Sequence, residues 1–132
     1  MTSKFEQLKK ISTDIADYKQ AIAVLGWDQQ VNMPPNGAEG RGAVIASLEQ
    51  HAHDAFVSDE TQRVLEDVEK EAKDWDPDSD DARLVKSFRR WVNRSKKVSS
   101  DWVAEFYKMV VVGNSKWEEA KEKNDFDMFQ PY

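Results

Sequence analysis

Residues 5–25 read Phe5-Glu6-Gln7-Leu8-Lys9-Lys10-Ile11-Ser12-Thr13-Asp14-Ile15-Ala16-Asp17-Tyr18-Lys19-Gln20-Ala21-Ile22-Ala23-Val24-Leu25, and their spacing decides the fold class. Leu8, Ile11, Ile15, Tyr18, Ile22 and Leu25 follow one another in steps of three and four, and Phe5 extends the stripe. Lys9, Lys10, Asp14, Asp17 and Lys19 fall outside it. This is the a/d spacing of an amphipathic helix with a seam for a neighbouring helix. Thr2 or Ser3 can cap its start, because a side-chain oxygen there satisfies an orphan N–H. The helix is expected to break at Gly26 or soon after. Met33-Pro34-Pro35-Asn36-Gly37 cannot continue it, since proline lacks the donor and restricts its predecessor, and Asn-Gly suits a turn.

The same period recurs downstream. A second helix is expected over about 38–57, with Ile45, Leu48, Ala52, Ala55 and Phe56 inward and Glu39 at its positive end. Gly40 and Gly42 weaken its first turn by roughly 1 kcal/mol each against alanine, and would admit the close approach of another backbone. Ser58 caps a third helix whose apolar face is Val64/Leu65, Val68, Ala72 and Trp75. A fourth, about 80–98, sets Leu84, Phe88, Trp91, Val92 and Val98 on one side. Arg83, Lys86, Arg90, Arg94 and Lys97 lie on the other. Ser99 or Ser100 caps a fifth, to about Asn124, with Trp102/Val103, Phe106, Met109/Val110, Gly113 and Trp117 inward. Trp91, Trp102 and Trp117 are expected in the core. The spacing predicts an all-α chain of about five helices in an antiparallel, bundle-like arrangement without a sheet, one domain over residues 1–132.

Composition narrows the function. The chain has 132 residues, a net charge of -6 and no cysteine. Thiol catalysis, thiolate metal sites and disulfides are therefore excluded. The acidic balance argues against nucleic acid as a partner. A mean hydropathy of -0.78 and the lack of any long apolar run argue against a membrane span. A cytoplasmic location is the expectation.

Local clusters offer little chemistry. His51 and His53 lie about 200° apart around a helix, so one ion does not readily take both. Asp74, Asp76, Asp78 and Asp80 alternate but lack the glycine and terminal glutamate of a calcium loop. Residues 82–98 carry seven basic and no acidic side chains, and residues 59–81 eleven acidic and three basic, so the two segments can complement each other. The segment from Trp27 to Arg41 is different. Asp28 and Glu39 offer carboxylates and Arg41 a guanidinium fork. Such a segment is either a loop tied down by an ion pair, with Trp27 as its plug, or a loop lining a cleft. Trp27, Asp28, Gln29, Met33, Glu39 and Arg41 are the candidate cleft-lining or loop-fixing residues, with Arg41 expected to pair with Asp28 or Glu39. No catalytic and no metal residue is assigned.

Leu25-Gly26-Trp27-Asp28-Gln29, Met33-Pro34-Pro35 and Gly37-Ala38-Glu39 with Arg41 resemble the N-terminal signature of the carboxypeptidase Taq family of zinc metallocarboxypeptidases. Ser47-Leu48 with His51 or His53, Trp117-Glu118-Glu119-Ala120-Lys121, Asn124-Asp125-Phe126 and Phe129-Gln130-Pro131-Tyr132 are similar to later family segments in the same order. Gly40 and Gly42 are less typical. The resemblance implies an all-helical, commonly dimeric parent that removes C-terminal residues from peptides. It also implies zinc or another divalent metal, held by a His-Glu-x-x-His helix and a later Glu. Those residues lie beyond this sequence, so the chain itself is expected to be inactive. Its partners would be the remaining C-terminal catalytic region, a peptide substrate through the parent, and a second copy in a homodimer. The apolar last residues, Phe126 to Tyr132, fit either a tail folded back on the bundle or a chain cut from a longer protein. The alternative function is a stand-alone helical interaction module without catalysis.

Overall fold

A computed structural model describes residues 3–132. Among them are five α-helices and no strand. They are α1 (Lys4–Val31), α2 (Ala38–Val57), α3 (Asp59–Glu71), α4 (Asp80–Ser95) and α5 (Ser100–Lys123). Short 3-10 turns occupy Pro35–Gly37, Ala72–Asp74 and Phe126–Met128.

Serine starts most of these helices. Ser3, Ser58, Ser79 and Ser99 each accept a hydrogen bond from the backbone N–H three residues on, at 3.1–3.2 Å. Each such cap stabilises its helix by about 1 kcal/mol. The alternative cap Thr2 lies outside the described residues. At the far end of α5, Asn124 adopts the left-handed conformation with φ 51°, and the Asp125 N–H closes onto the Ala120 carbonyl at 2.9 Å. Asparagine tolerates this conformation better than other residues that carry a side chain.

The core is built by four of the helices. Phe5, Leu8 and Ile15 of α1 meet Ala52 of α2, Val64, Leu65 and Val68 of α3, and Val85, Phe88 and Val92 of α4. Trp75 closes one edge, its ring 4.9 Å from that of Phe5 in an edge-on contact. The α3–α4 pairing is also electrostatic. Arg89 makes a two-pronged contact with Glu69, both bonds 2.7 Å, which joins the basic segment to the acidic one.

α2 is the central helix, buried on two sides through Gly42, Ile45, Ala46, Glu49, Ala52 and His53. Its second side receives α5. A Cβ added at Gly42 would sit 3.4 Å from the Lys108 carbonyl and 3.5 Å from Val111 Cβ, so glycine sets this close approach. Gly40 has nothing within 4 Å and plays no such part.

Two expectations need correcting. Of the break expected at Gly26 or soon after, the later position holds, and α1 runs further than the loop reading of Trp27 to Arg41 allows. It continues through Trp27, Asp28 and Gln29 to Val31, so these three stand on a helix and not in a loop. One glycine costs a helix only about 1 kcal/mol, whereas Met33 is forced out of the helical region by Pro34. The second correction concerns tryptophan. Trp91, Trp102 and Trp117 are 44%, 52% and 48% exposed, and Val98, Phe106, Met109 and Val110 are exposed with them. α5 buries Val103, Val111, Gly113 and Ala120 instead, and turns its bulkier face outward.

The C-terminal segment folds back on α5. Tyr132 Cβ lies 3.7 Å from where a Cβ on Gly113 would stand, while Phe126 remains exposed.

Candidate functional site

The Trp27–Arg41 segment folds into a corner between the end of α1 and the start of α2. Gly37 donates its N–H to the Pro34 carbonyl at 2.8 Å, which closes the turn. A Cβ on Gly37 would fall 2.8 Å from Met33 Cγ, so Met33 packs directly onto the bare glycine. Arg41, on the first turns of α2, reaches back over this turn. Its guanidinium donates to the Asp28 carboxylate and to the Leu25 carbonyl. Asn32 Nδ2 adds a longer contact to the same carboxylate at 3.4 Å. The Arg41 guanidinium holds the Asp28 carboxyl below its usual range, against a smaller opposing effect of burial.

The six candidate residues therefore divide. Asp28 and Arg41 are joined, and Met33 packs in the turn that separates them. Trp27 is 62% exposed and plugs nothing. Glu39 points to solvent and does not pair with Arg41, and Gln29 is half-buried without a part in the ion pair. Chemically the corner is a fixed salt bridge, with the neighbouring Trp27 indole exposed.

A second concave feature lies between α1, α2, α4 and α5, a groove of about 530 Å³. Its floor is polar. Glu49 is buried and pairs with Lys19. His53 Nε2 donates to the Ser95 carbonyl at 2.8 Å, since a carbonyl can only accept. His53 Nδ1 lies 2.9 Å from Ser100 Oγ, and Ser100 in turn donates to Asp54. The walls are Trp91, Val98, Trp102 and Phe106. The sequence reading missed this groove. The available signal was Glu49 and His53, one turn apart on the inward face of α2 beside Ala46 and Ala52.

Neither feature suits a divalent metal. Among the described residues no three His, Cys, Asp or Glu side chains gather as ligands. Both His53 nitrogens are engaged, and His51 Nδ1 is held by the Ser47 carbonyl at 2.6 Å. The acidic run is also accounted for: Asp76 accepts the Asp78 N–H in a turn, and Asp80 enters the first turn of α4. No helix of the described residues is long and apolar enough to cross a membrane.

Comparison with known proteins adds a consistent picture. The model of the family described as carboxypeptidase Taq (M32) metallopeptidase matches residues 7–132. Carboxypeptidase 1 of Bacillus subtilis (strain 168) is 31% identical over 128 residues, covering 97% of this chain and 24% of that protein. Thermostable carboxypeptidase 1 of Thermus thermophilus is 27% identical over 128 residues, covering 97% of this chain and 25% of its own length. The crystal structure of BsuCP superposes with a TM-score of 0.91 at 25% identity, over 98% of this chain and 26% of that one. The chain thus spans about a quarter of the length of the relatives it matches.

Proposed function

Because the chain belongs to the carboxypeptidase Taq (M32) metallopeptidase family, we propose that it forms the N-terminal helical part of a metallocarboxypeptidase that removes C-terminal residues from peptides. One observation carries this reading: the family match and the carboxypeptidase relatives run along nearly the whole chain while leaving about three-quarters of each relative unmatched.

Zinc or another divalent metal would supply a polarised carbonyl and an activated water in the parent. Among the described residues no three His, Cys, Asp or Glu side chains gather as ligands, so no step is assigned to them. Residues 1–132 act here as one helical domain, inactive alone, completed by a C-terminal catalytic region. The peptide substrate is met through that parent, which works as a homodimer in the cytoplasm. Trp27 and Glu39, both exposed, are the side chains offered to the substrate cleft, beside the corner fixed by Asp28, Met33 and Arg41.

The test has two arms. The 132-residue chain, loaded with zinc, should release no C-terminal residue from a peptide at an enzyme-like rate. A hybrid in which the chain replaces the matching quarter of the Bacillus subtilis relative should release it. Activity of the chain alone, or a folded, metal-loaded hybrid without activity, refutes the reading.

A second reading, a stand-alone interaction module, draws on the exposed apolar side chains of α5. It predicts that the chain binds a separate partner and that the hybrid stays inactive.

A further inference from the structure

α5 carries more exposed large hydrophobic side chains than any other helix among the described residues: Trp102, Phe106, Met109, Val110 and Trp117. Trp102, Phe106, Met109 and Val110 follow one helical stripe of about 12 Å, at roughly 1.5 Å rise per residue, and Trp117 continues it beyond Gly113, where the Tyr132 side chain packs. The rings of Trp102 and Phe106 stack at 5.1 Å and 10°, making a flat aromatic plate open to solvent. The fold does not need this face, because α5 already buries Val103 and Val111 against α2. With Trp91 and Val98 across the groove, Trp102 and Phe106 extend this face into an exposed apolar patch of the kind that marks an interaction surface.

We propose that this face docks an amphipathic helix from the part of the family polypeptide that this chain does not span. The inference rests on the functional reading above and names the partner of this surface. Two observations select the occupant. The same fold makes up only 26% of the BsuCP chain it superposes on, so about three-quarters of such a polypeptide lies outside this fold and can supply the occupant. Charge gives the second. Arg94 stands on the groove beside Trp102 and Phe106, and its guanidinium has no hydrogen-bond or ion-pair partner among the described residues. The docking helix therefore carries large apolar residues at i, i+3/i+4 and i+7, with a carboxylate that meets Arg94.

Hydroxyl-radical labelling read by mass spectrometry tests this. Trp102, Phe106, Met109 and Trp117 should label at least about fivefold less in the full-length hybrid with the Bacillus subtilis relative than in the 132-residue chain. Equal labelling overturns the proposal. So does protection in the 132-residue chain alone that disappears on dilution, because the occupant is then a second copy. Labelling does not depend on activity, so a hybrid that protects the stripe but cleaves nothing refutes the enzymatic reading and leaves the docking surface standing. If the hybrid does not fold, synthetic peptides covering the unmatched part of the relative are titrated against the chain by tryptophan fluorescence. One amphipathic, acid-bearing peptide should bind, about tenfold more weakly to Phe106→Ser and about fivefold more weakly to Arg94→Glu. Absence of any binding peptide overturns the proposal.

Discussion

Arg41 on α2 grips Asp28 on α1 across the Pro34–Pro35 turn, and the same guanidinium takes the Leu25 carbonyl. One side chain thus ties the last turns of α1 to the first turns of α2. The arrangement makes the corner sensitive to acid. The folded carboxyl of Asp28 titrates below its unfolded value. Its contribution to stability is present above the unfolded pKa, about 3.9, and is lost as pH falls through the lower folded value. Urea midpoints of the native chain and Asp28→Asn should differ at pH 6 and converge toward pH 2. A constant difference across that range would show that the carboxylate charge is not what matters.

Arg89 offers a sharper electrostatic test. Its fork meets both oxygens of Glu69 at 2.7 Å across the α3–α4 junction. Such paired, charge-assisted bonds are matched poorly by a point charge. Arg89→Lys should lose about 1 kcal/mol and Arg89→Ala about 1–2 kcal/mol in chemical denaturation. A double-mutant cycle with Glu69→Gln should return most of that loss as coupling.

Glycine substitutions should divide by position. Gly26 lies inside α1 with nothing within 4 Å of an added Cβ, so Gly26→Ala should stabilise by about 1 kcal/mol. Gly37→Ala should destabilise, because the new methyl would meet Met33 Cγ at 2.8 Å. Thermal melts of the two variants should move in opposite directions.

The aromatic residues should divide in the same way. Phe88 is fully buried among the four-helix core, and Phe88→Ala should cost about 3–5 kcal/mol. Trp117→Ala, at an exposed position, should change the stability of the 132-residue chain by less than about 0.5 kcal/mol.

The helical period of Leu8, Ile15, Val64, Leu65, Val68, Phe88 and Val92 was legible because burial on a helix repeats with the turn. These residues are the core that forms. Helix ends were less legible. Gly26 looked like a break because glycine has low propensity, but tertiary packing and the hydrogen-bond ladder carried α1 on to the proline turn. The tryptophans misled for a different reason. Period identifies an apolar face but not whether anything within the chain covers it, and α5 has two faces with apolar residues. The Asp28–Arg41 contact could be anticipated from residue types across a short turn. For the Lys19, Glu49 and His53 groove the inward placing of Glu49 and His53 is the one signal, because its other members come from helices distant in sequence.

The hydrophobic cluster of α1 to α4 contains no residue of α5. α5 packs chiefly on the other side of α2, around Gly42 with Val103 and Val111 buried, while Lys19 of α1 lies over the Tyr107 ring and His53 meets Ser100. The structure is therefore a four-helix core with a fifth helix set against its flank. In native-state hydrogen exchange the amides of α5 should open at a lower free energy than those of α3 and α4, as a separate cooperative unit. The helix that carries the aromatic plate should then exchange its amides before the four-helix core does.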